Sequence, residues 1–175
     1  MTSSQNLKKG AHNLLKNCAN LSTDQKLIII SEDPSLGWYS SDVTHYIKQA
    51  ATEMGIKTSI LEVGEPQNDS KSKLTNIIED FDCALFFARI GDQDRFEKSH
   101  FKTKRVMSYV RNLENLGSTF GHTHHHSLIE LKKAINSIFS KGGLVKITCP
   151  LGTSVKGDLP QTIIDESSDV GVLRF

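Results

Sequence analysis

The chain has 175 residues, with 21 lysines and arginines against 20 aspartates and glutamates, so its formal charge is +1. This length suffices for one domain with its own core, and 37% of the residues are hydrophobic. A charge so near zero lacks the basic excess typical of nucleic-acid or anionic-membrane binding. No apolar run approaches the roughly 20 residues that span a bilayer. We therefore expect neither nucleic acid nor membrane as a partner.

The N-terminus and the cysteines indicate the compartment. Residues 1–9 contain lysines but no apolar segment of a signal peptide, so we expect a cytoplasmic protein. Cys18, Cys83 and Cys149 are odd in number and far apart, which fits neither a disulfide framework nor a metal knuckle. We expect them to be reduced, buried and unreactive.

The first third of the chain has the pattern of an α/β protein. Apolar residues recur every three or four positions over residues 7–21, which predicts an amphipathic helix. Residues 26–31 are rich in β-branched side chains and predict a strand buried on both faces of a parallel sheet. A second helix is predicted from Ser41 to a closing glycine, Gly55, and a second strand over residues 57–63.

The pattern then repeats. A short helix is predicted over residues 74–78, a fully apolar strand over 82–88 and a fourth strand over 105–110. The clearest helix spans residues 124–140, and its expected core stripe is Leu128, Leu131, Ile135 and Ile138. The resulting crossovers place helices on both faces of a parallel sheet.

The pattern changes near Pro150 from α/β to β. Residues 144–149 predict a fifth strand, residues 151–159 a turn with an antiparallel return, and residues 170–175 one more short strand. The predicted fold is a three-layer, doubly wound, Rossmann-like α/β domain with a mostly parallel sheet. We expect one domain, made of an α/β part over residues 1–150 and a β extension over 151–175 packed on it.

Candidate ligand-binding residues follow the third predicted strand, because ligands of such sheets bind outside the carboxyl ends of the strands. They are Arg89, Asp92, Gln93 and Arg95. An Arg89–Asp92 or Asp94–Arg95 pair that only stiffens the loop is an equally good interpretation. After the first strand there is no dinucleotide or P-loop glycine motif. Asp33 and Glu32 could serve there as ligands or bases, but an ordinary Asp33-Pro34 turn beside a solvated Glu32 is the favoured interpretation.

Four histidines lie within the segment Gly121-His122-Thr123-His124-His125-His126. His122 and His126 are four residues apart and would share a face if the helix began early enough, so they are an outside candidate for a metal site. No acidic residue nearer than Glu130 follows, and cationic imidazoles are disfavoured at a helix N-terminus. A segment without a physiological metal is the favoured interpretation.

Charge is unevenly distributed along the middle of the chain. Residues 95–111 hold six basic side chains and one acidic one, whereas residues 62–82 hold six acidic and two basic ones. The basic stretch could attract an anion, and the two together could form a homodimer contact. A solvated face is the commoner outcome for such runs.

Four strings, taken in order and with their spacing, resemble the N-terminal half of the thermophilic-type leucyl aminopeptidase (aminopeptidase T) family. The same superfamily includes the iron-dependent dihydroxypyridine ring-cleaving dioxygenases. The resemblance covers the chain from about Asn17 to its last residue, and the strand followed by Pro-x-Gly-Thr is its most specific element. The strings are Glu32–Tyr39, Phe86–Phe96, Leu116–Gly121 and Val145–Thr153.

This resemblance implies a divalent metal, namely zinc, cobalt, manganese or iron, in the whole proteins of the family. Their metal ligands lie in the second half, and no position of this chain matches one of them. The resemblance therefore implies no cofactor and no catalytic residue in this chain. It also implies a C-terminal catalytic domain or a second chain as partner.

These observations leave three functional hypotheses. The first is the non-catalytic N-terminal domain of a leucyl aminopeptidase-like metalloprotein, which lines the substrate cleft and supports oligomer contacts. The second is a small autonomous α/β module that binds an anionic metabolite at the carboxyl edge of the sheet, through the loop Arg89–Phe96 and the basic stretch Arg95–Arg111. The third is a metal-dependent hydrolase or ring-cleaving dioxygenase that uses His122 and His126.

Overall fold

The computed structural model describes residues 3–66, 71–93, 102–161 and 173–174. The chain divides into two compact units. The first comprises Met1–His125 with Asp169–Phe175, and the second comprises His126–Ser168. The composition change at Pro150 therefore falls inside the second unit and does not coincide with the division between units.

The described elements follow one another largely as the sequence predicts. The helices are α1 Ser4–His12, α2 Ser41–Glu53, α3 Lys71–Ile78, α4 Leu113–Leu116, α5 Thr119–His122 and α6 His125–Phe139. The strands are β1 Lys26–Glu32, β2 Lys57–Val63, β3 Cys83–Phe87, β4 Lys104–Met107, β5 Gly143–Thr148, β6 Ser154–Leu159 and β7 Leu173–Arg174.

The first unit contains a parallel sheet with the strand order β2-β1-β3-β4-β7. At its centre Ile29 of β1 pairs with Ile60 on one side and with Leu85 on the other. All five residues of β3 are buried, because an interior strand flanked by helices needs apolar side chains on both faces. The predicted α/β fold with a mostly parallel sheet is confirmed.

The helices of the first unit begin and end with recognisable local chemistry. The Ser3 hydroxyl accepts a hydrogen bond from the backbone N–H of Asn6 and so caps α1. The single helix predicted over residues 7–21 changes pitch instead, since α1 continues as a π-helical segment, Asn13–Cys18. As predicted, α2 is followed by Gly55. Its φ of +75° is disfavoured for residues that carry a side chain.

The second unit contains α6 and an antiparallel hairpin of β5 and β6. The predicted fifth strand and the predicted antiparallel return are both present, since β5 pairs with β6 in a separate two-stranded sheet. Five residues, 149–153, connect the two strands, and this loop is too short for a crossover, so the chain turns straight back. In that loop the Gly152 N–H donates to the Cys149 carbonyl, and Gly152 has a φ of +105°.

Burial corrects the prediction of a core stripe on α6. The helix is present, but Leu131 is 57% and Ile138 63% exposed, and Ile135 is exposed as well. No residue of α6 is buried. The periodicity indicates correctly that the helix is amphipathic, but periodicity carries no information on whether another element covers the apolar stripe.

Candidate functional site

The carboxyl ends of β1 and β3 lie side by side at the edge of the sheet. From β1 the chain continues to β2 on one side, whereas β3 pairs with the other side of β1. Such a reversal of strand order opens a crevice at the carboxyl edge, which is where open α/β sheets bind ligands. Glu32 ends β1 at this place, and Arg89 follows β3.

Glu32 and Arg89 form a closely bonded ion pair in the crevice. The Glu32 side chain is fully buried, whereas the Arg89 side chain is 30% exposed. Glu32 Oε2 accepts the backbone N–H of Arg89 at 2.8 Å, and Oε1 accepts Arg89 Nε at 2.6 Å and also contacts Nη2. The hydrogen bond to Glu32 raises the pKa of Arg89. The expectation of a solvated Glu32 is therefore wrong, because its side chain is buried. Arg89 pairs with Glu32 and not with Asp92.

Trp38 lies beside this ion pair, with two guanidinium groups near its ring. The guanidinium carbon of Arg89 is 4.8 Å from the Trp38 ring centroid, and that of Arg111 is 5.1 Å from it. Both distances lie within the range of cation–π attraction. Trp38 is 41% exposed, so the ring also faces solvent.

The loop that carries Trp38 is shaped by local hydrogen bonds. The Asp33 carboxylate accepts the backbone N–H of Ser35, which lowers the pKa of Asp33, and Pro34 begins a short 3₁₀ turn. Gly37 follows with a φ of +74°. The predicted Asp33-Pro34 turn is therefore present, and it places Trp38 at the sheet edge.

Two tyrosines join the end of β4 to the same edge. The Tyr39 hydroxyl donates to the Ser108 carbonyl at 3.2 Å, and the Tyr109 hydroxyl donates to the Asp92 carboxylate at 2.8 Å. Burial, with a further contribution from the charge of Glu32, raises the pKa of Tyr39 to about 12. Tyr39 is thus a neutral structural side chain, while Tyr109 is exposed.

Of the four predicted ligand-binding residues, the structure brings Arg89 and Asp92 to this edge. Gln93 lies beside them, and its amide nitrogen is 3.5 Å from the Pro66 carbonyl. Arg95 lies outside the described residues. Sequence reasoning missed Trp38, whereas Arg111 belongs to the basic stretch 95–111 that could attract an anion. Both follow strands of the parallel sheet, at the end where ligands are expected.

The histidine segment is held by one buried side chain, Asn13. Its amide nitrogen donates to the carbonyls of Gly121 and Thr123 at 3.0 and 2.6 Å, and its amide oxygen accepts the backbone N–H of His125 at 2.9 Å. These bonds satisfy backbone groups in the segment that joins α5 to α6.

The helix boundaries show whether His122 and His126 can share a helix face, as the candidate metal site requires. His122 ends α5, whereas His126 lies in α6, so the two histidines do not share a face of one helix. In the part of the chain that the structure describes, no three His, Cys, Asp or Glu side chains converge as metal ligands. The described residues thus do not fit the divalent metal that the family resemblance implies.

The cysteines separate into two kinds. Cys18 and Cys83 are buried, as expected, and burial raises the pKa of each thiol to about 12. Cys149 is exposed, which corrects the expectation that all three are buried. It follows β5, and β5 is exposed along most of its length.

Within the described ranges, no helix has both the length and the apolar character needed to cross a membrane.

The fold and the residues gathered at this edge describe an α/β protein with a candidate ligand site at the carboxyl edge of its sheet. No family model matches the chain, and no curated protein matches it. Among solved structures, it is similar to the 2,5-dihydroxypyridine dioxygenase of Pseudomonas putida KT2440, with a TM-score of 0.58 and 12% identity. The match covers 97% of this chain and 52% of that one, so this chain spans about half the length of the dioxygenase. At this identity the likeness concerns the fold alone.

Proposed function

We propose that the first unit binds a small planar anion at the carboxyl edge between β1 and β3. The observation that carries the proposal is the exposed Trp38 ring with the guanidinium groups of Arg89 and Arg111 beside it. An aromatic side chain next to cations provides apolar contact for a planar ligand and charge-assisted hydrogen bonds for its anionic group.

The two arginines have different tasks in this site. Arg89 is already neutralised by the buried Glu32, which fixes its side chain in the crevice. Arg111 is exposed, and among the described residues no carboxylate forms an ion pair with it. Arg111 is therefore the cation that would meet an incoming carboxylate or phenolate, while Arg89 helps to hold the Trp38 ring in place.

The wider role that we propose is that of a cleft-lining, non-catalytic part of a larger protein. The described residues hold no cluster of metal ligands, and the chain spans about half the length of the dioxygenase that shares its fold. The name of that enzyme points to a dihydroxylated pyridine, which is a planar ring that can carry negative charge. No comparison supports an aminopeptidase domain, so that part of the family resemblance stays a prediction.

Isothermal titration calorimetry of the full chain tests the site. Benzoate and 2,5-dihydroxypyridine should bind, and neutral benzamide should bind at least about tenfold more weakly than benzoate, because it lacks the charge. Arg111→Ala and Trp38→Ala should each weaken benzoate binding about tenfold. Lys57→Ala is the matched control, since it removes an exposed cation at the amino end of β2.

Equal affinity for benzoate and benzamide, or no loss of affinity in Arg111→Ala, would overturn the proposed site. With zinc or iron added, the purified chain should leave 2,5-dihydroxypyridine unchanged. Turnover that is abolished by a chelator would overturn the non-catalytic role while leaving the binding site standing.

A further inference from the structure

We infer that the outer edge of β6 pairs with the same edge of a second copy of this chain, which joins two β5–β6 hairpins into a four-stranded antiparallel sheet. The inference rests on the second unit alone and does not depend on the proposed ligand site. A two-stranded hairpin is marginally stable in water, whereas a sheet of more strands with one apolar face is stable.

The backbone groups of β6 are positioned for such pairing. The Cys149 N–H donates to the Thr153 carbonyl, so these residues form a hydrogen-bonded pair beside the loop. Because bonded and non-bonded pairs alternate along an antiparallel ladder, the odd-numbered residues of β6 bond to β5. Ser154, Lys156 and Asp158 therefore direct their backbone groups to the outer edge, where all residues of β6 are exposed.

The two faces of the hairpin differ in polarity. In the observed register Val145 is opposite Gly157 and Ile147 is opposite Val155, and Leu159 lies on the same face. This apolar face is uncovered, since Ile147 is 58% and Val155 54% exposed. A second hairpin must therefore pair with odd-numbered residues opposite odd-numbered ones. A slip by one residue would bring polar side chains onto the apolar face.

One register about a two-fold axis keeps that parity and matches the charges. With Gly157 on the axis, Lys156 lies opposite Asp158 of the second copy, and Val155 lies opposite its Leu159. Within the hairpin Lys156 already faces Lys146, and like charges placed directly opposite are destabilising. An aspartate on the other side of Lys156 offsets this repulsion. In the single chain a Cβ atom at Gly157 would meet nothing within 4 Å, so the space beside this residue is open to a second copy.

The outer edge of β5 offers no comparable match. Lys146 is the one charged residue of β5, so self-pairing of this edge gives no attractive charge pair in any register, and an axis at Lys146 would place two lysines opposite each other. The charges therefore favour β6 as the edge that pairs, and they define a register that can be tested by exchanging them.

Sedimentation equilibrium of the full chain tests the pairing. The wild-type chain should form a dimer at micromolar concentration. Lys156→Asp and Asp158→Lys should each weaken the dimer about tenfold, because each change turns two attractive cross-strand pairs into repulsive ones. The double variant should restore wild-type dimerisation, since it exchanges the charges without removing a pair. Lys132→Glu, a charge reversal on α6, should leave the dimer unchanged.

A chain that stays monomeric at all concentrations would overturn the inference, as would single variants that dimerise like the wild type. A double variant no better than the single ones would overturn the register. Amide hydrogen exchange gives an independent measurement, because the N–H groups of Lys156 and Asp158 should become more protected as the protein concentration rises. Protection independent of concentration would contradict the pairing.

Discussion

Strands β3 and β5 are both predicted from their apolar residues, but they have opposite environments. Every residue of β3 is buried between its neighbours in the parallel sheet. In β5, which reads Gly-Leu-Val-Lys-Ile-Thr, five of the six residues are exposed and none is buried. The difference teaches that an apolar run selects strand geometry, whereas burial depends on whether other elements supply the second surface.

The largest expected effect comes from matched truncations in the two units. Leu85→Ala should lower the free energy of unfolding by about 3 kcal/mol, because Leu85 is fully buried in β3 and a cavity would remain. Leu131→Ala makes the same chemical change on α6, where the side chain is 57% exposed, and should cost less than about 0.5 kcal/mol. Urea unfolding, followed by the fluorescence of Trp38 and by circular dichroism, measures both. Equal losses would show that α6 is covered in solution.

A smaller effect is expected from adding a methyl group at matched glycines. A Cβ atom at Gly10 of α1 would lie 2.2 Å from the Leu116 carbonyl oxygen, so Gly10→Ala should destabilise the first unit by about 2 kcal/mol. At Gly157 of β6 the same change meets open space and should stay within about 0.5 kcal/mol. Thermal unfolding of dilute protein separates the two. A neutral Gly10→Ala would contradict the close packing of α1 on α4.

The smallest perturbation is chemical labelling of the thiols. At pH 8 a disulfide reagent should modify one thiol per native chain, Cys149, and all three in denaturant. Modification of Cys18 or Cys83 in the native chain, at a rate like that of Cys149, would contradict their burial.

Raising the pH extends the thiol comparison. Burial holds the pKa of Cys18 and Cys83 near 12, above the ordinary 9.0, so the folded chain keeps protons that the unfolded chain releases. This part of the stability is fully present below pH 9 and is lost as the pH rises towards 12. The urea concentration at the midpoint of unfolding should accordingly decrease as the pH is raised from 8 to 10.5. A midpoint that stays constant over this range would contradict the raised pKa values.

Much of the first unit could be predicted from the sequence because its signals are local. Residues 27–30 and 83–88 are apolar runs bounded by polar residues, and Gly55 marks the end of α2, so β1, β3 and α2 follow from short-range chemistry. The antiparallel return after β5 could also be predicted, because Pro150 and the turn at Gly152 lie between the two paired strands.

The candidate site was predictable only in part. Arg89 and Asp92 could be identified because they directly follow a buried strand. The burial of Glu32 could not, since its acceptor role depends on Arg89, which is 57 residues away in the chain. Trp38 and Arg111 come together for the same reason, through the order of the strands and not through any spacing in the sequence.

The bonds of Asn13 have a consequence for biosynthesis. The carbonyls that its amide group contacts belong to residues 108 and 110 positions further along the chain. While the polypeptide emerges from the ribosome, α1 and most of the sheet are complete before these acceptors exist. During that interval the amide nitrogen of Asn13 lacks both of these acceptors, and the N-terminal helix reaches its final anchorage only after the last of them has been translated.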